Sequence, residues 1–434
     1  MKPITPIHHP LNAVVRVPGS KSLTNRALLI AALADGTTRL TTALFSDDSR
    51  YFAQALQTLG FDLTLDEVNR EITVNGLGGQ IPAPKADLFI GNAGTAARFL
   101  SAFLTLGNGE YILDGDSRMR ERPIGDLVAS LTELGAVISP LSHRERAGGE
   151  GKLIAPPLLI TSSGLPGGKT TIAGDISSQF LSALLMVAPY AQTPVEIELS
   201  TGLNSKPYVD MTLAIMRDFG ITVERHGYQS FKIPANRYSP ITNYPIESDA
   251  SAASYFFAAP AICGGTVRVE NISRRSVQGD IAFLQVLEKI GCAVTESENS
   301  ITVSRHSSLS GIDIDMRDIP DIAQTLAVLA PFADSPTRIR GIASARVKET
   351  DRIAATCAEL ARLGVKVEEH PDGMTIYPLQ PANFQPATIK TYNDHRMAMA
   401  FSLIGLRVPG VTIENPSCVS KTFPNFFEVL DTLR

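Results

Sequence analysis

One kind of segment recurs along this chain and limits what it can become: an amphipathic helix that ends in an apolar residue and glycine and runs straight into a strand. It occurs five times, as AQALQTLGFDLTL, VASLTELGAVISP, LAIMRDFGITVER, LQVLEKIGCAVTE and CAELARLGVKVEE, with glycines at Gly60, Gly135, Gly220, Gly291 and Gly364. Successive glycines lie 75, 85, 71 and 73 residues apart (135−60, 220−135, 291−220, 364−291). Glycine after the last helical residue is the usual left-handed stop. A sixth helix of this kind, FPNFFEVLDTLR, closes the chain. A second, more apolar helix is predicted before each, starting near Lys21, Thr95, Ser178, Ala250, Asp321 and His395. Strands follow these helices, as in TTRLTTA, EYILDG, VEIELS, TVRVEN, TRIRGI and VTIENP. The unit is strand, buried helix, strand, loop, amphipathic helix, strand pair. An α/β chain built of six βαβαββ-type units follows.

The third unit ends in IPANRYSPITNYPIES, whose Pro234, Pro240 and Pro245 read as an interdomain crossing. The expected division is therefore two globular domains of three units each, 1–18 plus 246–434 and 19–245, with hinge crossings near Pro18 and Pro245. The strand Ala13 to Val17 precedes the first unit and is expected to pair with the second half, making the connection double-stranded. The stretch Ser142 to Pro157 reads as an exposed loop.

Charge narrows the function. Among 434 residues, 39 Lys and Arg stand against 44 Asp and Glu, a formal net charge of −5. No bulk positive field draws nucleic acid or an anionic membrane, so an anion site must be a local concentration of cations. There is no Trp and no basic run longer than RMRER, which speaks against a polyanion-binding module. Cys263, Cys292, Cys357 and Cys418 are widely spaced and read as reduced thiols of a cytoplasmic protein. No apolar signal region opens the chain, and no apolar run reaches the length of a membrane span. No His, Cys or carboxylate group has metal-ligand spacing, so neither metal nor cofactor is expected.

The polar residues gather at equivalent places in the repeat. PGSKSLTNR, Pro18 to Arg26, breaks a strand and opens a helix with Lys21, Ser22 and Arg26 near its start. Outward N–H groups, the helix dipole and two full charges suit an anion. The stretch is not a P-loop, since Ser20 stands where that motif needs glycine before lysine. The other buried helices open on GNAGTAAR (Gly91 to Arg98), ISSQ (Ile176 to Gln179), Asp249, Asp321 and NDHR (Asn393 to Arg396). The loops before the amphipathic helices carry RMRERP, Ser205 with Tyr208, RVKETDR and Lys421. Singly, each admits a plain structural role: a tight turn, a helix cap or a solvated charge run. If the units stack in register, all of them converge on one cleft rich in Lys and Arg, which suits a small, multiply anionic ligand.

In this order PGSKSLTNR, GNAGTAAR, RMRERPIGDL, DISSQF, SKPYVDM, IPD with Asp321, RVKETDR, NDHRMAM and SKTFP closely resemble the 5-enolpyruvylshikimate-3-phosphate synthase family of enolpyruvyl transferases. The resemblance covers almost the whole chain. It implies two domains of three units each, with helices inside and sheets outside, that close over their substrates. It implies transfer of the enolpyruvyl group of phosphoenolpyruvate to the 5-hydroxyl of shikimate 3-phosphate, through a tetrahedral intermediate, without cofactor. The setting would be aromatic amino acid biosynthesis, the enzyme a monomer, and glyphosate its inhibitor. By the same resemblance, Lys21, Ser22 and Arg26 meet the substrates, with Arg26 on the shikimate carboxylate. Ser177, Ser178, Gln179, Ser205, Tyr208, Asp321, Ser344 and Lys348 hold shikimate 3-phosphate. Gly94, Arg122, Gln179, Arg352, Arg396 and Lys421 surround phosphoenolpyruvate with Lys21. Asp321 is the expected base for the 5-hydroxyl, and Lys21, Glu349 and His395 the groups around the methylene proton. Two positions depart from the pattern: Ser344 stands where several relatives have asparagine, and Phe99 where many have proline. The sister activity, enolpyruvyl transfer to a UDP-linked amino sugar, generally uses a cysteine in the loop corresponding to DSRMRERP, and this chain has none before Cys263.

Overall fold

The computed structural model describes residues 1–141, 144–145 and 152–434. The chain divides into two compact units: a terminal unit, Met1–Pro18 with Glu247–Arg434, and an inserted unit, Gly19–Ile246. The second boundary falls one residue later than expected, because Ile246 donates its N–H to the Thr41 carbonyl at 2.9 Å and is tied to the inserted unit.

Six helices form the cores. In the inserted unit these are α1 (Lys21–Leu33), α3 (Gly94–Phe103) and α5 (Ser178–Val187); in the terminal unit, α7 (Ala250–Cys263), α9 (Ala323–Leu329) and α11 (His395–Gly405). Every residue of α3, α9 and α11 is buried, and in α7 every residue except Ser251. Small residues let these helices pack closely, and Phe99, Phe103, Phe180, Phe256 and Phe257 are buried in the two cores. Each such large apolar side chain contributes about 1.5–3 kcal/mol by leaving water. Asp321 lies just ahead of α9, on the 3-10 turn Pro320–Ile322.

The amphipathic helices are α2 (Asp47–Thr58), α4 (Gly125–Glu133), α6 (Lys206–Asp218), α8 (Phe283–Lys289), α10 (Arg352–Arg362) and α12 (Phe426–Asp431). Gly60, Gly135, Gly220, Gly291 and Gly364 follow the first five, with φ between +92° and +107° at four of them and +85° at Gly364. Only glycine holds that conformation without steric cost.

Each unit carries its sheets with one face buried and one exposed, as the alternating burial along Glu71–Leu77 and Leu158–Ser163 illustrates. Five four-stranded sheets share one order. A strand enters, the strand after the buried helix lies parallel to it, and a hairpin adds two antiparallel strands. In Lys85–Phe89, Asn108–Asp114, Leu158–Ser163 and Val137–Pro140 all of these come from consecutive sequence. The sheets that begin with Gly168–Ile172 and Asp313–Asp315 are built the same way, whereas in the other two the entering strand comes from far away. Asn243–Pro245 lies parallel to Asp35–Thr41, so the end of the inserted unit completes its first sheet. Leu11–Arg16 lies parallel to Gly265–Glu270, with Ala13 opposite Val267, so the early strand does pair within the second half. The sixth sheet has three strands, and its antiparallel member is Lys2–Pro3, paired with Thr412–Ile413.

Within Ser142 to Pro157, residues 142, 143 and 146–151 lie outside the described residues. Ala155 and Pro156 are buried, and the Ile154 carbonyl accepts the Ile124 N–H at 3.0 Å. This end of the stretch packs against the start of α4 instead of standing exposed.

Candidate active site

In the inserted unit the starts of α1, α3, α5 and α6 gather cations, of which Arg26 and Arg122 bond neutral oxygen atoms and Lys21 faces a carboxylate. Ser20 caps α1, its Oγ accepting the Leu23 N–H. Lys21 follows, with Nζ 3.5 Å from the buried Asp48 at the first turn of α2. One turn on, Arg26 is 1% exposed. Its Nε donates to Thr212 Oγ1 (2.7 Å), Nη1 to the Ser22 carbonyl (3.0 Å), and Nη2 to the Tyr208 carbonyl (3.2 Å) and Ser182 Oγ (3.3 Å). None of these acceptors is charged. Burial pulls the Arg26 guanidinium down to about 10. The Phe99 ring, 5.3 Å below, supplies a π-face for the cation. The residue that departs from the family pattern thus serves Arg26, and α3 still begins at Gly94 without proline.

Gly94 and Arg122 are in contact. A Cβ on Gly94 would lie 2.5 Å from Arg122 Nη2 and 2.8 Å from its Cζ. Arg122 is 4% exposed and donates from Nη1 to the Asn92 carbonyl (3.2 Å) and Oδ1 (3.0 Å). Ser177 caps α5 by accepting the Gln179 N–H at 3.3 Å, the buried Ser178 begins the helix, and Gln179 Nε2 lies 3.4 Å from Thr95 Oγ1. Ser205 precedes α6 with φ +57°, a left-handed conformation that costs a serine about 1–3 kcal/mol and is characteristic of functional sites. Its carbonyl accepts the Tyr208 N–H.

In the terminal unit the cations meet carboxylates. Arg352, at the start of α10, is 3% exposed. Nε and Nη2 bond Asp394 at 2.7 and 3.2 Å, Nη2 also bonds Glu349 at 2.8 Å, and Nη1 bonds Asp321 at 3.0 Å. Burial works against its charge, but Asp394, Glu349 and Asp321 outweigh burial and hold its proton more tightly than usual. Arg396 Nη2 bonds the other Asp321 oxygen at 2.8 Å, so the two arginines grip that carboxylate from both sides. Lys421 Nζ stands 3.8 Å from Glu349. Asp394 caps α11 by accepting the Arg396 N–H, and the fully buried His395 has Nδ1 3.5 Å from the same carboxylate. Lys348 and the half-buried Ser344 lie on the loop before α10, and among the described residues no bond joins Ser344 to this network.

The sequence assigns no binding or catalytic role to Arg98, Asp48, Asp280 or Asp394, although GNAGTAAR and NDHR, which hold Arg98 and Asp394, are among the motifs expected to converge. Arg98 donates to the Gly94 carbonyl (3.2 Å) and the Pro123 carbonyl (2.8 Å), clamping the GNAGTAAR turn to the loop that carries Arg122. Asp394, Asp48 and Asp280 are buried carboxyls bonded into the same networks. Their motifs NDHR, SDDSR and QGD mark them as polar groups beside helix starts, which is the only sequence signal they give.

A model of the EPSP synthase (3-phosphoshikimate 1-carboxyvinyltransferase) family matches residues 6–430. The chain is 50% identical over 424 residues to a 3-phosphoshikimate 1-carboxyvinyltransferase of Nostoc punctiforme, covering 98% of this chain and 97% of the relative. It is 50% identical over 432 residues to that of a Sulfurovum species, covering 99% and 98%. A solved EPSP synthase structure from Acinetobacter baumannii aligns with a TM-score of 0.81 at 27% identity, over 99% of this chain and 97% of that one. A family match that spans nearly every repeat, together with relatives sharing half their residues end to end, means that this chain belongs to the EPSP synthase family.

Proposed function

We propose that the chain carries out the enolpyruvyl transfer of its family with the two networks described above, one gripping anions and the other moving protons. The reaction joins phosphoenolpyruvate and shikimate 3-phosphate. The 5-hydroxyl oxygen bonds to C2 of the enol, its proton leaves, and the methylene carbon gains a proton to become methyl. The tetrahedral intermediate then loses phosphate from C2 and a proton from the methyl group, which restores the double bond.

The observation that carries this reading is Arg26. A buried guanidinium surrounded by neutral acceptors, with no carboxylate partner among the described residues, is short of one negative charge. The shikimate carboxylate supplies it. Ser177, Ser178, Gln179 and Ser205 sit at helix starts suited to the shikimate phosphate, with Ser344 and Lys348 as further donors, and Tyr208 lies along the ring. Arg122 beside Gly94, with Lys21, Gln179, Arg352, Arg396 and Lys421, takes the phosphate and carboxylate of phosphoenolpyruvate, where guanidinium forks match both groups. Asp321, presented by two arginines, takes the 5-hydroxyl proton. Lys21 and Glu349 handle the methylene proton, with His395 assisting. Cations around the departing phosphate stabilise the charge that develops there.

A UDP-linked amino sugar is the less favoured acceptor, since the chain matches the shikimate-directed family and has no cysteine in the Arg122 loop. Glyphosate as a competitor of phosphoenolpyruvate, a monomeric state and a cytoplasmic location complete the proposal. Its test is phosphate release from phosphoenolpyruvate with either acceptor. Turnover with shikimate 3-phosphate and none with UDP-N-acetylglucosamine is expected; the reverse would overturn it.

A further inference from the structure

Behind Asp321 lies a second carboxyl that the reading above does not use. Asp280 sits on the 3-10 turn Gly279–Ala282 and is 5% exposed. The preceding Gln278 fixes that turn against the start of α7: its Oε1 accepts the Ala250 N–H (3.0 Å) and its Nε2 donates to the Ser248 carbonyl (2.7 Å). Ser251, the one residue of α7 that is not buried, donates its hydroxyl proton to Asp280 Oδ2. Having only that proton, Ser251 Oγ can meet Arg396 solely as acceptor, and Arg396 Nη2 stands 3.5 Å away. The same nitrogen bonds Asp321 at 2.8 Å. The polarity is continuous: guanidinium to hydroxyl to carboxyl on one side, and guanidinium to Asp321 on the other.

We propose that Asp280 is a positioning residue for the transfer, which aims Arg396 through Ser251 and, as a nearby negative charge, keeps Asp321 basic enough to accept the hydroxyl proton. The inference rests on Asp321 being the base. Two arginines alone would make Asp321 a poor proton acceptor, because opposite charges stabilise its ionised form, while a like charge nearby does the reverse. The charged groups facing Asp280 are Asp249 at the cap of α7, Arg396 on α11 and Asp321 ahead of α9. Burial, and then the Asp321 charge, raise Asp280 itself to about 6.

The test compares Asp280→Asn, Ser251→Ala and Asp321→Asn by pH profiles of kcat/KM with both substrates. Asp280→Asn keeps the size of the group and an acceptor for Ser251 but removes the charge. Its acidic limb should move down by about one pH unit and its plateau kcat fall about tenfold, with KM for shikimate 3-phosphate changed less than twofold. Ser251→Ala retains the charge and loses the aim, so its limb should stay in place while KM for phosphoenolpyruvate rises. A second readout is independent of turnover. Because the folded carboxyl binds its proton more tightly than the unfolded one, wild type loses stability as pH rises from about 4 to about 6, and Asp280→Asn does not. The gap in unfolding free energy should therefore move in favour of the variant over that range. An unmoved limb and plateau in Asp280→Asn, with Asp321→Asn inactive, would overturn the role of Asp280 and leave the base in place. An active Asp321→Asn would overturn the base, and the proposal with it.

Discussion

Arg26 in the inserted unit and Arg352 in the terminal unit are held in opposite ways. Arg26 and Arg352 are both buried and each makes at least four hydrogen bonds. Every acceptor around Arg26 is neutral, whereas Arg352 touches three carboxylates. The first arrangement leaves a positive charge uncompensated and ready for an arriving anion. The second is neutralised in advance, so an anion gains there only if a carboxylate yields, by moving or by taking a proton. On the proposed reading the first arrangement grips an anion, and the second keeps basic groups close to the cations without letting them drift.

The sharpest way to break this comparison is to replace each arginine by methionine. Arg352→Met strands the fully buried Asp394 and takes one cation from Glu349 and one from Asp321, and should cost about 3–5 kcal/mol of unfolding free energy. Arg26→Met removes a cation that burial already disfavours, and should cost less than half as much while weakening shikimate 3-phosphate binding. Equal losses in chemical denaturation would show that the two environments do not differ in kind. Next in size is Arg122→Lys, which retains charge but loses the planar fork. A loss of about 1.5–3 kcal/mol in transition-state binding is expected, roughly ten- to a hundredfold in kcat/KM. Unchanged kinetics would remove Arg122 from the gripping network.

Gly94→Ala comes third. Its methyl group would meet Arg122 first, so its effect should resemble a mild displacement of that guanidinium, about 1–3 kcal/mol of discrimination between glyphosate and phosphoenolpyruvate. The inhibition constant should rise by a larger factor than the Michaelis constant, and equal factors would count against the contact with Arg122 as the cause. The smallest effect is expected at Phe99. Phe99→Leu preserves apolar packing and deletes the π-face under Arg26, worth about 0.5–2 kcal/mol. A thermal unfolding midpoint and shikimate 3-phosphate affinity that both match wild type would show that Arg26 does not depend on the ring.

How far the sequence reveals this molecule depends on the distance over which each feature is encoded. The stop glycines are local: Gly60 or Gly291 must adopt positive φ whatever packs around it, so five helix ends could be read directly. The helix starts are nearly as local, since Ser20, Ser177, Asp249 and Asp394 each cap the turn they precede. The Ser251–Asp280 bond joins residues 29 apart, and the Arg352–Asp394 pair residues 42 apart. Nothing in periodicity announces either. Phe99 shows the same limit, because its use is visible only once Arg26 lies above it. Ser205 hides its left-handed backbone for another reason: serine adopts that conformation only when its surroundings compel it.

The pairing of the first strands has a consequence for synthesis. Leu11 aligns with Gly265, made 254 residues later (265−11), and Lys2 with Ile413, made 411 residues later (413−2). On a ribosome the inserted unit is fully made when residue 246 emerges, while Ile4, Ile7 and Val15 still lack the partners that bury them. The nascent chain therefore carries this early apolar segment unsheltered while the whole inserted unit is made, and the sixth sheet is sewn shut only after Ile413 has emerged. Closing so long a loop is slow, and an exposed strand is an invitation to mispairing in the meantime. The polar and proline residues His8, His9 and Pro10, set between the two early strands, interrupt that apolar segment where a longer run would be most adhesive.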